Sequence, residues 1–169
     1  MRTLETGAGQ TTIAFAIAGA HHTAITLDPG EAHRIRAWCA RHGVSCDDLA
    51  FIHESSDQAL ARGDGIPDRL DFVFIDGAHR FPFPCLDWHF TEGRLAVGGI
   101  VGVDDFAMPS VRILFEFLNG EHEWTLVETI ARTAFFRRDR ETVVVNDCQG
   151  QQINKVPYEP ASTRWKAPA

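Results

Sequence analysis

The chain has 169 residues, of which 44% are hydrophobic, and a formal net charge of −7. That length suits one domain with a full core, and the acidic balance argues against a nucleic-acid backbone or an anionic membrane as main partner, since both need clustered Lys and Arg. No apolar run reaches the roughly 18–20 residues of a spanning helix, no basic-then-apolar leader opens the chain, and Cys39, Cys46, Cys85 and Cys148 are too scattered for a metal cluster, so free thiols in a reducing cytoplasm are expected.

In chain order, residues 2–5 read as a short strand followed by a Gly-rich turn. Residues 11–18 read as a helix with Ile13, Ala16 and Ile17 on one face. Residues 23–27 form a β-branched apolar run that Asp28-Pro29-Gly30 breaks. In the next helix Ile35, Trp38, Cys39 and His42 fall at i, i+3, i+4 and i+7, and Gly43 suits a left-handed cap. Residues 49–53 read as a third strand and 57–62 as a short helix. Residues 70–75 are nearly all apolar, as in a strand buried on both faces.

Pro84 can open a helix over residues 85–93. Residues 95–103 make a strand bent at Gly98-Gly99, and Pro109 opens a helix with Val111, Leu114, Phe115 and Leu118 on one stripe, closed by Asn119-Gly120. Residues 124–128 and 133–136 read as an antiparallel hairpin, and residues 141–145 offer a further strand. The basic stretch 132–140 reads as a solvated strand end. Residues 1–147 thus form the domain and 148–169 a polar, Pro-containing tail. Strands alternating with helices imply an α/β fold: a three-layer, Rossmann-like, doubly wound and mostly parallel sheet ending in an antiparallel hairpin. In such sheets the ligand sits at the carboxyl ends of the strands.

The residues after each strand therefore carry the functional reading. Gly7 and Gly9 let the backbone turn tightly after the first strand. Thr12 stands where a dinucleotide fold places its third glycine, which counts against an NAD-linked oxidoreductase. Glu5 disfavours a pyrophosphate and suits a cationic ligand bearing an amino group. Asp28 ends the second apolar run and suits a carboxylate that takes both ribose hydroxyls, or else a cap of its own turn. Asp76 follows the fourth strand with His79 three residues on, and Asp104-Asp105 follow the fifth. Adjacent strands bring these to one rim, where three carboxylates raise one another's pKa unless a cation sits among them. Such oxygen ligands suit Mg²⁺, Ca²⁺ or Mn²⁺, and the imidazole suits a general base.

Over residues 2–137 the chain resembles the class I S-adenosylmethionine (SAM)-dependent methyltransferases, on Leu4-Glu5-Thr6-Gly7-Ala8-Gly9, Leu27-Asp28, residues 71–79 and residues 95–100. It is most similar to the metal-dependent small-molecule O-methyltransferases, of the methyltransferase-24 kind. The resemblance implies SAM as cofactor, with Glu5, Gly7 and Gly9 along its methionine and ribose, Asp28 on the ribose hydroxyls, Glu54, Ser55 and Ser56 near the adenine, and Asp76 at its border. It implies Mg²⁺ or another divalent cation on Asp76, Asp104 and Asp105, and His79 as the base for a small-molecule hydroxyl.

His21, His22, His53, His89 and His122 read as structural or solvent-facing, without acidic partners. Phe81, Phe83, Trp88 and Phe90 read as core, or as a roof over the acceptor. Only four residues precede Glu5, whereas relatives of this kind carry an N-terminal helical lid. The lid is then expected from a homodimer partner or from an upstream segment. A non-catalytic SAM- or nucleoside-binding domain is the other reading.

Overall fold

The computed structural model describes residues 1–141 and 151–155. Seven strands form one sheet: β1 (Arg2–Thr6), β2 (His21–Ile25), β3 (Leu49–Ile52), β4 (Leu70–Ile75), β5 (Leu95–Val103), β6 (Trp124–Ile130) and β7 (Thr133–Arg138), in the order β3-β2-β1-β4-β5-β7-β6. The first five strands pair in parallel; β7 runs antiparallel to β5 and to β6. Five helices connect them: α1 (Gln10–Ile17), α2 (Pro29–His42), α3 (Ser56–Arg62), α4 (Phe83–Glu92) and α5 (Pro109–Gly120). The strand order reverses between β1 and β4, which run parallel, and this opens a crevice at their carboxyl ends. Among the described residues no helix is long and apolar enough to cross a membrane.

The main core lies between the sheet and α3, α4 and α5. Leu4, Val73, Ile75, Val101, Val103 and Phe136 from the sheet meet Leu60, Val111, Leu114 and Leu118 from the helices. The stripe expected on α5 is the buried one, with Val111, Leu114 and Leu118 at 0–1% exposure. Val111→Ala is expected to cost about 2 kcal/mol through lost transfer energy and the cavity left behind, to be read from urea unfolding midpoints. A smaller core on the opposite face joins Ile35 and Cys39 of α2 to Leu49 of β3, with Ile13 and Ala16 of α1 packed against it. Gly43 closes α2 in the left-handed region, as its sequence suggests.

The bend at Gly98-Gly99 is a wide bulge. Leu70 faces Leu95, but Phe72 faces Ile100, so residues 96–99 loop out of register. Gly98 sits at φ +85, and a Cβ on Gly99 would lie 2.7 Å from Leu95 Cδ1 and 2.8 Å from Ala96 O.

Several expectations are corrected. β2 begins at His21, not Thr23, because His22 is buried as a polar strand residue between Thr3 and Glu5; Leu27 lies beyond the strand and is 75% exposed. His21 and His22 do have acidic partners, Asp48 and Glu5, brought in from neighbouring segments. Ile17 does not share a buried face with Ile13 and is 63% exposed; α1 instead turns Thr12 inward. Within the basic stretch Arg138 is buried, donating to the carbonyls of Glu92 and Leu95, so it joins β7 to the end of α4 rather than facing solvent. The strand expected over residues 141–145, Cys148 and most of the tail lie outside the described residues. Cys39, Cys46 and Cys85 are free thiols.

Candidate active site

The crevice holds a cleft of about 430 Å³ lined by the Gly7-Ala8 turn, by Thr26, Leu27 and Glu31 beyond β2, by Glu54, Ser55 and Ser56 beyond β3, and by Asp76, Gly77, Ala78 and Phe83 beyond β4. Each group sits where a strand ends and its helix begins. Gly7 is required by two features. Its φ is +96, and a Cβ there would stand 2.5 Å from the carbonyl oxygen of Asp76. The turn thus lies directly against the end of β4, and Gly7 N donates to Ile25 O at 2.8 Å.

Glu5 is placed differently from its sequence reading. It is 1% exposed and lies outside the cleft lining. Its carboxylate accepts from Thr11 Oγ1 at 2.6 Å and from Thr12 Oγ1, while His22 Nε2 lies 3.1 Å away. Thr12 Oγ1 in turn accepts from Gly9 N at 2.9 Å. Glu5 therefore fixes the start of α1 and the shape of the glycine turn. Gly9 borders an adjoining groove between α1 and α2 with Ala8, Ile13, Glu31 and Trp38.

Asp28 is the N-cap of α2, accepting from Gly30 N at 2.8 Å and from Arg34 Nη2 at 2.9 Å, and it is not in the cleft wall. The Arg34 guanidinium, aided by the Gly30 amide, holds its carboxyl below the usual carboxylate range. Ser55 occupies the N-cap position of α3 without a side-chain capping bond, and both serines face the cleft. Glu54 also lines the cleft and pairs with Arg62. Of the four aromatics, Phe83 faces the cleft, Trp88 and Phe90 pack on the core, and Phe81 is 57% exposed.

At one end of the cleft the rim residues converge. Asp76, His79 and Asp104 each offer a ligand atom, all within 4.8 Å of one another. β4 and β5 are neighbours, and Asp104 N donates to Ile75 O, which levels the two strand ends. Thr133 Oγ1 at the β6–β7 turn donates to Asp104 Oδ1 at 2.5 Å. Asp105 sits apart from the trio at φ 51, a left-handed position that Asp tolerates. Its carboxylate lies 2.9 Å from Arg132 Nε and 3.6 Å from His79 Nδ1, while His79 Nε2 lies 3.6 Å from Asp76 Oδ1. Arg132, legible in the sequence only as part of a basic run, is the added member of the site.

Burial and the carboxylates of Asp104, Glu5 and Asp105 push the Asp76 carboxyl up to about 7. With folded value above unfolded, its contribution to stability is full below the ordinary carboxylate value of 3.8 and is lost as pH rises through about 7. The Asp76 carboxyl so shifted and the neighbouring Asp104 carboxylate, beside a buried His79 Nε2 that makes no hydrogen bond, are a donor set that fits a divalent cation.

A sheet of this order with a glycine turn after β1 and acidic strand ends defines the Rossmann-like fold of class I methyltransferases. A family model described as a methyltransferase domain matches residues 4–106, more than half of the chain. The chain belongs to this family and is a SAM-dependent methyltransferase. No curated protein matches it. Among solved structures it is similar to cofactor-bound Rv0187 from MTB, at 19% identity and a TM-score of 0.66, over 83% of this chain and 73% of the other. It is similar to the O-methyltransferase TomG of Streptomyces achromogenes, which acts in tomaymycin synthesis and was solved with SAM: 21% identity, TM-score 0.61, 81% and 72% covered. A Staphylococcus aureus protein described as a caffeoyl-CoA O-methyltransferase gives 16% identity and a TM-score of 0.64 over 81% and 75% of the two chains. At these identities the likeness is one of fold.

Proposed function

We propose that the chain transfers the methyl group of SAM to a hydroxyl of a small molecule, assisted by a divalent cation on Asp76 and Asp104. The carrying observation is the convergence of Asp76, His79 and Asp104 at the end of the cleft that the glycine turn also borders. TomG, an O-methyltransferase with SAM bound, supports the choice of oxygen as acceptor and of SAM as donor. When bound, the cation lowers the pKa of the acceptor hydroxyl, and SAM supplies an electrophilic methyl group.

The chain's own residues do the rest. The backbone at Gly7 and Ala8 admits the amino-acid part of the cofactor, and Ser55 and Ser56 border its base. Phe83 keeps water from the reacting end. His79 takes the hydroxyl proton at Nε2. Asp105 faces the other ring nitrogen and holds the ring, and Arg132 holds Asp105. The chain's main contribution would be to position the acceptor oxygen against the methyl group of bound SAM.

Calorimetric titration of S-adenosylhomocysteine, with and without Mg²⁺, tests the reading. Micromolar binding that Mg²⁺ alters in the wild type but not in Asp104→Ala is the expected result; no binding under either condition would defeat it. A pH dependence follows from Asp76. Proton and cation compete for its carboxylate, so Mg²⁺ affinity is expected to rise about tenfold between pH 6 and pH 8. Asp76→Asn should weaken binding and flatten that slope. An equal slope in the variant would assign the effect elsewhere.

A further inference from the structure

We infer that His22, buried in β2, is a positioning residue for SAM: through Glu5 and Thr12 it sets the backbone of the glycine turn. The inference rests on the reading that the amino-acid part of the cofactor lies against Gly7 and Ala8.

β1 and β2 run parallel with Thr3 opposite His22, so the side chains of residues 3, 5 and 22 point to one face of the sheet. α1 covers that face, and its Phe15 lies flat on the His22 ring, with centroids 4.3 Å apart and planes at 15°. All three polar residues are buried, where each polar atom needs a partner. Thr3 Oγ1 is 2.7 Å from His22 Nδ1 and holds one side of the ring. His22 Nε2 lies 3.1 Å from Glu5 Oε1 and has no hydrogen-bond partner elsewhere. A carboxylate only accepts, so the nitrogen facing it carries a proton.

The polar chain continues to the turn. Glu5 accepts from Thr11 and Thr12 at the head of α1, and Thr12 Oγ1 accepts from Gly9 N, the N-cap amide that closes the turn. None of His22, Glu5 and Thr12 lines the cleft. Whatever His22 does to a ligand therefore passes through Gly9 and the backbone beside it. Without Nε2, the buried Glu5 carboxylate keeps hydroxyl donors alone. It and the threonines then readjust, and Gly9 N, bonded to Thr12, moves with them.

The test is calorimetry with S-adenosylhomocysteine and with 5′-methylthioadenosine, which lacks the amino-acid part, on the wild type, His22→Asn, His22→Gln and Thr12→Val. The Asn amide can replace Nδ1 but is too short to reach Glu5, whereas the longer Gln brings an amide N–H to the place of Nε2. His22→Asn is expected to weaken S-adenosylhomocysteine about 10- to 100-fold and methylthioadenosine no more than about threefold. His22→Gln should recover most of that loss. Thr12→Val, close in shape, cuts the polar chain at its last link and should repeat the His22→Asn pattern, so it decides the matter if His22→Asn does not fold. Equal losses for both ligands in His22→Asn and Thr12→Val would reduce these residues to a structural role and overturn the inference. So would a loss in His22→Gln as large as in His22→Asn. Failure of the wild type to bind S-adenosylhomocysteine at all would overturn the SAM reading, and the inference with it.

Discussion

Asp104→Ala is expected to bind S-adenosylhomocysteine within about threefold of the wild type and to lose methyl transfer by about a thousandfold. The size follows from the term removed: charge stabilisation by a bound cation is worth several kcal/mol in the transition state, and each 1.36 kcal/mol is tenfold in rate. The selectivity follows from placement. Asp104 is not in the wall of the cleft that Gly7, Thr26 and Ser56 line, whereas it is one vertex of the Asp76–His79–Asp104 cluster. Its backbone N–H to Ile75 O survives the substitution, so the strand ends stay level. Thr133→Val provides a graded companion, because it removes the hydroxyl that orients the same carboxylate and leaves the charge. A loss of about 10- to 100-fold, the usual cost of removing an outer-shell partner, is expected there. If Asp104→Ala transferred methyl groups at the wild-type rate, the cation site would have no part in the chemistry.

Gly7→Ala carries the second large effect, and it acts on fold and site together. A non-glycine residue at φ +96 costs on the order of 1–2 kcal/mol. The new Cβ, 2.5 Å from Asp76 O, meets backbone rather than a flexible side-chain end, so the turn or the end of β4 must move. Together these predict a loss of about 3 kcal/mol and a Tm lower by about 6–12 °C for a chain of this size. Because the displaced atoms belong to residue 76, the Mg²⁺ response should weaken along with S-adenosylhomocysteine binding. Gly9→Ala is the control: nothing lies within 4 Å of the added Cβ, so it should spare stability to within about 0.5 kcal/mol. Scanning calorimetry with and without ligand separates the two variants.

Much of this fold was legible because its central strands are buried on both faces. Residues 70–75 and 95–103 announce β4 and β5 as near-continuous apolar runs, and their ends place Asp76 and Asp104 at one rim. The stripe of α5 and the Gly43 cap followed from spacing alone. What the sequence hid depends on long-range partners. His22 looks polar in isolation, yet Thr3 and Glu5 make it a buried strand residue. Arg138 looks like part of a solvated run, yet carbonyls of Glu92 and Leu95 satisfy it.

The acidic residues near the cofactor region divide in the same way. Glu5 is positioned by the two threonines that open α1, a pairing the Glu5-to-Thr12 segment contains but does not advertise. Asp28-Pro29 does advertise a helix cap with proline in the first turn, and Asp28 caps α2. Glu31 lines the cleft and accepts from Thr26 at the strand end, a placement that its position in the sequence does not mark.

The central claim is metal-assisted methyl transfer to oxygen, and its most direct measurement is the release of S-adenosylhomocysteine from SAM across a panel of small hydroxylated acceptors, in Mg²⁺ and in EDTA. The account predicts turnover with at least one hydroxyl acceptor in Mg²⁺, a fall of at least about 100-fold in EDTA, and recovery when Mg²⁺ is returned. Turnover unaffected by the chelator, or turnover confined to amine acceptors added as controls, would contradict it.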